Sequence, residues 1–339
     1  MILILNCGSQ SIKWKLFDKN LNIKEKGKEQ VFLSMRYKGL LFKILKELKD
    51  KEIDVIGHRV VHGGDEYRKP VRINNNVLRE IKRFSQFAPL HNPYNLLGIK
   101  VAKKIFPKIR QIAVFDTEFF IDLPEKASIY PLPRKITKKY NFKKFGFHGI
   151  SHQYASIEAS KKIKKPFNKL NIISCHLGGG ASISAIKNGK AIDTSMGFTP
   201  MEGLMMMTRA GDIDPGIVVK LNQNIYFKKV NKILNSRSGF KGMLGLSNMK
   251  EIVKSSTKSK KTKLALDMYI YRIQKYIGSY FAILGGCDLL VFTGAIGWED
   301  GKKRIKNMIL KDLHFLNKSK VVAIEPNEEL AIAQKIKNI

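Results

Sequence analysis

The chain has 339 residues, with 62 Lys and Arg against 28 Asp and Glu, a formal net charge of +34. An apolar fraction of 44% with Gly and Pro spread throughout describes a globular chain long enough for two domains, and no apolar stretch reaches the length of a membrane span. Cys7, Cys175 and Cys287 are odd in number and unclustered, which argues against a disulfide framework or a zinc site and for a reducing, cytoplasmic setting. The basic excess is mostly lysine, 50 against 12 Arg. It runs along most of the chain, including 161–165, 258–263 and 302–306, without the Arg and aromatic interleaving of a base-stacking platform. We read it as solvated surface and not as a dedicated nucleic-acid site.

The first residues, Met1-Ile2-Leu3-Ile4-Leu5, lack a basic flank and read as a strand over 2–6, not as a signal peptide. Residues 11–17 complete a hairpin, and 22–32 add a third strand. A helix is predicted over 38–49, then a strand over 53–58 that runs into Gly57-His58-Arg59-Val60-Val61-His62-Gly63-Gly64. Helices follow over 76–86 and 93–105, and a strand over 110–116 ends at Asp116. A second half begins near residue 120. It holds Phe145-Gly146-Phe147-His148-Gly149, a helix from Ser151 and a second hairpin over 170–187. Asp214-Pro215 opens a helix, Asp as N-cap and Pro in the first turn. Residues 255–263 are rich in Ser, Thr and Lys and read as an exposed loop. A long helix over 264–284 has Leu264, Met268, Tyr271 and Ile277 among its apolar positions. A buried strand over 288–292 enters Thr293-Gly294-Ala295-Ile296-Gly297. A strand over 320–324 and a helix from Asn327 close the chain. Strands alternating with helices make the class α/β.

Two segments far apart in sequence are alike. Leu5-Asn6-Cys7-Gly8-Ser9-Gln10-Ser11-Ile12-Lys13 and His176-Leu177-Gly178-Gly179-Gly180-Ala181-Ser182-Ile183-Ser184 each read as strand, Gly/Ser turn, strand. Aligned directly, Gly8 falls on Gly179, Ser11 on Ser182 and Ile12 on Ile183. Glycine removes the Cβ, so an anion can approach the main-chain N–H groups, and Ser hydroxyls add donors. Two such hairpins describe a duplicated nucleotide-binding fold. Polar residues also gather where apolar runs end: Asn6, Arg59, Asp116, His176 and Thr293. In α/β sheets that edge is where ligands bind. Two His-x-x-x-His pairs, His58 with His62 and His148 with His152, lack the neighbouring Glu, Cys or carboxylate that would complete a zinc set. Arg209 stands in a polar loop, Met207-Thr208-Arg209-Ala210-Gly211-Asp212. Its planar fork suits phosphate or carboxylate, and a salt bridge is the plainer reading for it and for Arg59. No Walker A motif and no protein-kinase catalytic loop occurs, so phosphoryl chemistry here requires another cradle.

These residues together resemble the acetate kinase (acetokinase) family of the actin/hexokinase/Hsp70-like phosphotransferases. The matching blocks are 6–13, 57–64, 88–93, 114–117, 130–133, 146–152, 175–184, 193–203, 208–215 and 326–331, nearly end to end. The resemblance implies a two-domain, duplicated actin/hexokinase-like (ribonuclease H-like) fold with an interdomain active-site cleft. The domains would be 1–118 with 327–339 returning, and 119–326. It implies Mg²⁺-dependent, reversible transfer of the ATP γ-phosphoryl group to acetate, giving acetyl phosphate and ADP, in a cytoplasmic homodimer formed through the second domain, to which the 264–284 helix could contribute. By the same resemblance Arg59 and Arg209 bind acetate and the transferred group, His148 donates to that group, and Asp116 lies on the acetate side. Asn6 and Glu328 belong to the Mg²⁺ site. Val61, Leu90, Phe147 and Pro200 line the pocket for the acetate methyl. Ser9, Ser11, Lys13, His176, Gly178, Gly179 and Gly180 match the phosphate turns, and Gly294, Ala295, Ile296 and Gly297 the late glycine motif of the nucleotide site.

The chain departs from the family pattern on the nucleotide side. The usual Gly-Asn-Gly turn reads Gly178-Gly179-Gly180. Met249-Lys250 stand after Ser247-Asn248 where Asp-Phe-Arg is usual, and Ala295-Ile296-Gly297-Trp298-Glu299 replaces Gly-Ile-Gly-Glu-Asn. The chain is also shorter than typical members, chiefly before Ile53 and between Trp298 and Val321. A propionate-preferring kinase is an alternative, because one methylene in an apolar pocket is worth only ~1–3 kcal/mol. A degraded, non-catalytic nucleotide-binding member is another, against which the full set Asn6, Arg59, His148, Arg209 and Glu328 argues.

Overall fold

The computed structural model of the chain describes residues 1–339 except 10, 32–35, 299–303 and 338. Two compact units divide it: Met1–Ile121 with Phe147–Ile150 and Asn327–Ile339, and Asp122–Gly146 with Ser151–Pro326. The chain therefore returns twice to its first unit, once for four residues around His148 and once for its last helix.

The first unit is built on β1 (Ile2–Cys7), β2 (Ser11–Phe17), β3 (Ile23–Gln30), β4 (Val55–Val60), β5 (Val71–Arg72) and β6 (Arg110–Phe115), in the order β3-β2-β1-β4-β6-β5. β1 is buried along its whole length, as its unbroken apolar run requires of a strand covered on both faces. β3 is the edge strand, and its charged sequence Ile-Lys-Glu-Lys-Gly-Lys-Glu-Gln discourages further strand pairing. β1 pairs antiparallel with β2 and parallel with β4, and β4 pairs parallel with β6. The carboxyl ends of three strands thus share one edge. Helices Tyr37–Glu47 and Asn92–Ile105 bury Tyr37, Leu41, Leu45, Val101 and Ala102 in one cluster with Leu3 and Leu5 of β1. Full burial of each large side chain contributes ~1.5–3 kcal/mol.

The second unit repeats the plan with β7 (Asn171–Leu177), β8 (Ala181–Lys187), β9 (Lys190–Thr194), β10 (Leu289–Thr293) and β11 (Lys320–Ala323), in the order β11-β10-β7-β8-β9. β7 pairs antiparallel with β8 and parallel with β10, which pairs parallel with β11. Each sheet is an antiparallel three-strand meander followed by two parallel strands, and in the first sheet β5 adds an antiparallel edge strand beside β6.

Most predicted elements stand within two or three residues of their expected bounds. Three readings change. The 255–263 segment is not one loop: helix Met249–Ser255 runs into it, and helix Lys260–Leu284 starts inside it, capped by the Ser259 hydroxyl accepting from the Thr262 N–H at 3.2 Å. Lysine is a good helix former and Ser a good cap, so loop-like composition concealed a helix start. Second, the long helix buries Ala265, Leu266, Tyr269, Ile270, Ile273 and Ile277, and leaves Leu264 and Tyr271 exposed. Its buried face is one residue out of phase with the Leu264/Tyr271 stripe, because small Ala265 and Thr262 also serve the packed side. Third, the two turns align differently from the direct sequence match. Gly8 N–H donates to Ser11 O at 2.9 Å, and Gly178 N–H to Gly180 O at 3.0 Å. Cys7 pairs with Ile12 and Leu177 with Ala181. Gly8 therefore corresponds to Gly178 and Asn6 to His176, and the first turn is one residue longer. Asp214 does cap helix Pro215–Asn224, accepting from Gly216 N–H at 2.7 Å. Position 32 of the third strand, Gln10 of the first turn, Glu299 of the late glycine motif and 302–303 of the last basic run lie outside the described residues.

Candidate active site

At the shared edge of the first unit, β4 carries Arg59 and the chain leaves β6 at Asp116. Arg59 Nη2 donates to Asp116 Oδ2 at 2.8 Å, and Nε to Oδ1 and Oδ2 at 3.3 and 3.2 Å. Asp116 is fully buried and also accepts from the Ile150 N–H. Burial works to lower the Arg59 pKa, but the charges of Asp116, Glu328 and Glu329 outweigh it and drive it up, so the guanidinium is fixed as a cation. Burial pushes the Asp116 carboxyl up while Arg59 pulls it back.

The segment carrying His148 sits against Asp116. A Cβ at Gly149 would lie 2.1 Å from the Asp116 carbonyl oxygen, so only glycine permits this approach. His148 itself holds φ at +59°, a left-handed conformation that costs a non-glycine residue ~1–3 kcal/mol and marks functional segments. Phe147 is buried, with its ring 5.4 Å from that of His62 in an edge-on contact. Val61 follows β4 and is buried, its N–H donating to Asn95 Oδ1 at 3.1 Å, and Leu90 is half-buried.

The end of β1 meets the last helix, Glu328–Ile336. Asn6 Nδ2 donates to Glu329 Oε1 at 3.0 Å, and Lys15 Nζ lies 3.4 Å from Glu329 Oε2 and 2.7 Å from Asn327 Oδ1. Glu328 and Glu329 are both buried. Sequence reasoning singled out Glu328 and passed over Glu329 and Lys15. The signal was the doubled Glu in a helix's first turn, after an Asn cap. Among the described residues no group of three or more His, Cys, Asp or Glu could hold a metal. Two buried carboxylates and an amide oxygen are nevertheless hard donors of the kind that fits Mg²⁺, which takes one or two carboxylates and completes its shell with water and phosphate oxygens. Ser9 and Ser11 stand in the turn just beyond Asn6, and Lys13 pairs with Asn6 across β1 and β2.

In the second unit, Thr293 at the end of β10 pairs with His176 on β7. His176 Nδ1 shares a 2.8 Å hydrogen bond with Ser151 Oγ. His152 bridges the two strands of the hairpin, with Nδ1 2.9 Å from Ser174 Oγ and Nε2 2.7 Å from Ser182 Oγ. Burial drives the pKa of His152 far down, so the ring is neutral, with one nitrogen donating and the other accepting. His58 has a comparable duty in the first unit, donating from Nε2 to Gln111 Oε1 at 2.9 Å, and His62 Nδ1 accepts from Gly64 N–H at 3.1 Å. These contacts give structural work to His58, His62 and His152.

Gly178, Gly179 and Gly180 form the turn after β7. Gly294 follows β10 at φ +81°, where a Cβ would come within 2.5 Å of Leu177 O, and the Ala295 nitrogen lies close to Gly178. The Thr293 hydroxyl is fully buried with no hydrogen-bond partner among the described residues, a polar orphan beside the turn. A cavity of about 820 Å³ opens from Gly179, Ala295 and Ile296 to Met249, Lys250 and Val253. Three of the segments that depart from the family pattern thus line one cavity. Sequence reasoning missed Lys254, Thr257, Lys258 and Arg304, which line it too. Thr257, Lys258 and Arg304 sat inside segments read as solvated lysine runs and loop, and Lys254 just before them. Arg209 is buried in this unit. Its Nη1 donates to Pro200 O at 3.2 Å, Pro200 is itself buried, and burial lowers the guanidinium to about 10.

The model of the acetokinase family matches residues 34–319. The acetate kinase of Dictyoglomus turgidum is 41% identical over 389 aligned positions, which cover 98% of this chain and 96% of that protein. The crystal structure of Porphyromonas gingivalis acetate kinase superposes with a TM-score of 0.87 at 35% identity, covering 98% of each chain. A propionate kinase from Francisella tularensis superposes at 0.89 with 36% identity, covering 100% of this chain and 99% of that one. Fold and site together define a phosphotransferase of the two-domain, actin/hexokinase-like class. Within that class, the chain belongs to the acetokinase family.

Proposed function

We propose that the protein reversibly transfers the γ-phosphoryl group of a nucleoside triphosphate, ATP in the family, to acetate, giving acetyl phosphate and the diphosphate, with Mg²⁺ as metal. The observation that carries this reading is the Arg59–Asp116 pair, gripped through Nε and Nη2 at a strand edge that also holds Asn6. Acetate is already ionised at neutral pH, so no general base is required. The reaction instead needs fixed positive charge beside an electron-rich phosphoryl group. Arg59 supplies it: Asp116 fixes one side of the fork, and the Nη1 end is assigned to substrate oxygens. His148 and Arg209 are assigned to the same group on the family resemblance. Val61, Leu90, Phe147 and Pro200 are assigned to the acetate methyl. Asn6 and Glu328, with Glu329 behind Asn6, would hold Mg²⁺, whose chemistry is to neutralise phosphate oxygens. Ser9, Ser11, Lys13, His176, Gly178–Gly180 and Gly294–Gly297 are assigned to the nucleotide phosphates, and the cavity beside Gly179 to the nucleoside.

A second copy is the proposed partner. Helix Pro215–Asn224 buries none of its residues, and Ile217, Val219, Tyr226 and Phe227 are all at least half exposed, an apolar face that association would cover. Among the described residues no helix is long and apolar enough to cross a membrane. The three cysteines, all free, support a cytoplasmic setting. The likeness to a propionate kinase favours one second reading, in which propionate is the better acceptor.

Hydroxamate formation from acetate or propionate, nucleotide, Mg²⁺ and hydroxylamine tests both readings. Activity with acetate that chelation of Mg²⁺ abolishes is expected. Folded protein with no turnover at millimolar substrates in either direction overturns the proposal, and a higher kcat/KM for propionate selects the second reading.

A further inference from the structure

The cavity beside Gly179 has a one-sided hydrogen-bonding character. Lys250, Lys254, Lys258 and Arg304 line it, and no Asp or Glu does among the described residues. Lysine and arginine donate and never accept. Asn248 also lines the cavity, but its amide oxygen is already committed as the cap of helix Met249–Ser255, accepting from Lys250 N–H at 2.9 Å. That leaves its NH₂ to face a ligand, again a donor. The Thr257 hydroxyl donates to Lys254 O at 3.1 Å, so its oxygen remains as an acceptor, with that of Ser247 nearby in the lining. Five donor side chains thus face two hydroxyl acceptors, across an apolar floor of Met207, Val253 and Ile296 that suits a flat base.

Resting on the reading of this cavity as the nucleoside site, we propose that it selects purines with a carbonyl at C6, guanine and hypoxanthine, over adenine. The two kinds of purine differ most at that edge. A 6-oxopurine presents O6 and N7, two acceptors that a Lys or Arg satisfies, whereas adenine keeps N7 but replaces O6 with N6–H₂, a donor that needs an acceptor. The adenine amino group can donate only to the Ser247 and Thr257 oxygens and leaves the lysines without an acceptor in place of O6. The N1–H of a 6-oxopurine has the Ser247 and Thr257 oxygens to meet. Lys250 and Lys254 are four residues apart, one helical turn, so they reach the cavity as a pair.

Direct calorimetric titration of the protein with ADP, GDP and IDP, with Mg²⁺ present, tests the proposal. GDP and IDP should each bind about tenfold more tightly than ADP, the low end of what one good base-edge pairing gives. Lys254→Glu and Lys250→Glu each introduce an acceptor on an exposed stem and should move the preference toward ADP. KM for the triphosphates should follow the same order while kcat with saturating nucleotide stays alike. ADP binding as tightly as GDP, with neither Glu variant shifting the ratio, overturns the base selection and leaves the nucleotide site standing. Failure of all three diphosphates to bind folded protein overturns the site reading and the selection together.

Discussion

In the first unit, β1 and β4 carry Asn6 and Arg59 one residue before their ends, and Asp116 follows the end of β6. In the second, the same two positions of the same sheet are His176 and Thr293, because Leu5 pairs with His58 as Cys175 pairs with Phe292. One edge is ionic: a half-buried arginine held by a buried carboxylate, with Glu329 behind Asn6. The other is built from a hydroxyl, an imidazole bonded to Ser151, and glycine main chain. A duplicated fold has kept its backbone plan and divided its chemistry. Fixed charge suits a group that must be stabilised only in transit, while neutral donors on main chain suit phosphates that must bind and later leave.

The sharpest way to break this comparison is to remove the matched pair in turn. Arg59→Ala should lower kcat by roughly a thousandfold, the low end of what an arginine contributes to phosphoryl transfer. Thr293→Ala at the equivalent position should act on nucleotide KM instead, by a few-fold, with kcat nearly intact. Steady-state kinetics on both variants decides the matter. If Arg59→Ala costs less than tenfold in kcat, its pair with Asp116 is a structural salt bridge and the division of chemistry fails.

The units should also differ in acid. Burial holds His58 down at about 4 and His62 at about 3, against 6.5 in the unfolded chain. Both are in the first unit. The unfolded chain therefore takes up protons below pH 6.5 that the folded unit refuses. Each histidine's neutral form favours the folded state fully above pH 6.5, and that advantage is lost as pH falls from 6.5 toward 4. For His58 the loss amounts to about 3 kcal/mol, at ~1.4 kcal/mol per pH unit. The second unit carries His152 in a like state, so it too weakens. Hydrogen exchange at stepped pH should show β4 and β6 opening before β7 and β8 between pH 6 and 4. Simultaneous opening, or stability flat over that range, sets the histidine account aside.

How far the sequence carries depends on whether a residue's neighbours are local. The strand ends were readable because an apolar run stopping at Asn6, Arg59, Asp116, His176 or Thr293 is a local pattern, and within each sheet the geometry brings such ends to one edge. The cap at Asp214 was readable for the same reason, and so was the start of the last helix next to Asn327. The pairing of Arg59 with Asp116 depends on the register of β4 against β6, which no local pattern sets. Glu329 was passed over because nothing local distinguishes it from Glu328, and its partner Asn6 lies at the other end of the chain. The lysines of the cavity were lost among many others. Composition cannot separate a lysine that lines a pocket from one that faces solvent.

The smallest expected effect concerns Gly179, where this chain departs from the family's Gly-Asn-Gly turn. A Cβ built there meets nothing within 4 Å, so an added side chain strains neither the turn nor its neighbours. Gly179 also lines the cavity, and its carbonyl accepts from Met207 N–H at 3.2 Å, which a side chain leaves undisturbed. Gly179→Asn therefore adds a donor without moving the cradle. Net hydrogen bonds are worth ~0.5–1.5 kcal/mol, so KM for the nucleotide should fall about threefold, with kcat and thermal stability unchanged. The wild-type turn lacks that donor and depends more on the lysines around the cavity, whose attraction for a polyphosphate is screened by salt. Nucleotide KM of the wild type should accordingly rise with ionic strength, and more steeply than that of the variant. Equal KM values for the two proteins at every salt concentration would mean that main-chain N–H groups alone set phosphate affinity, and that the unusual glycine is neutral.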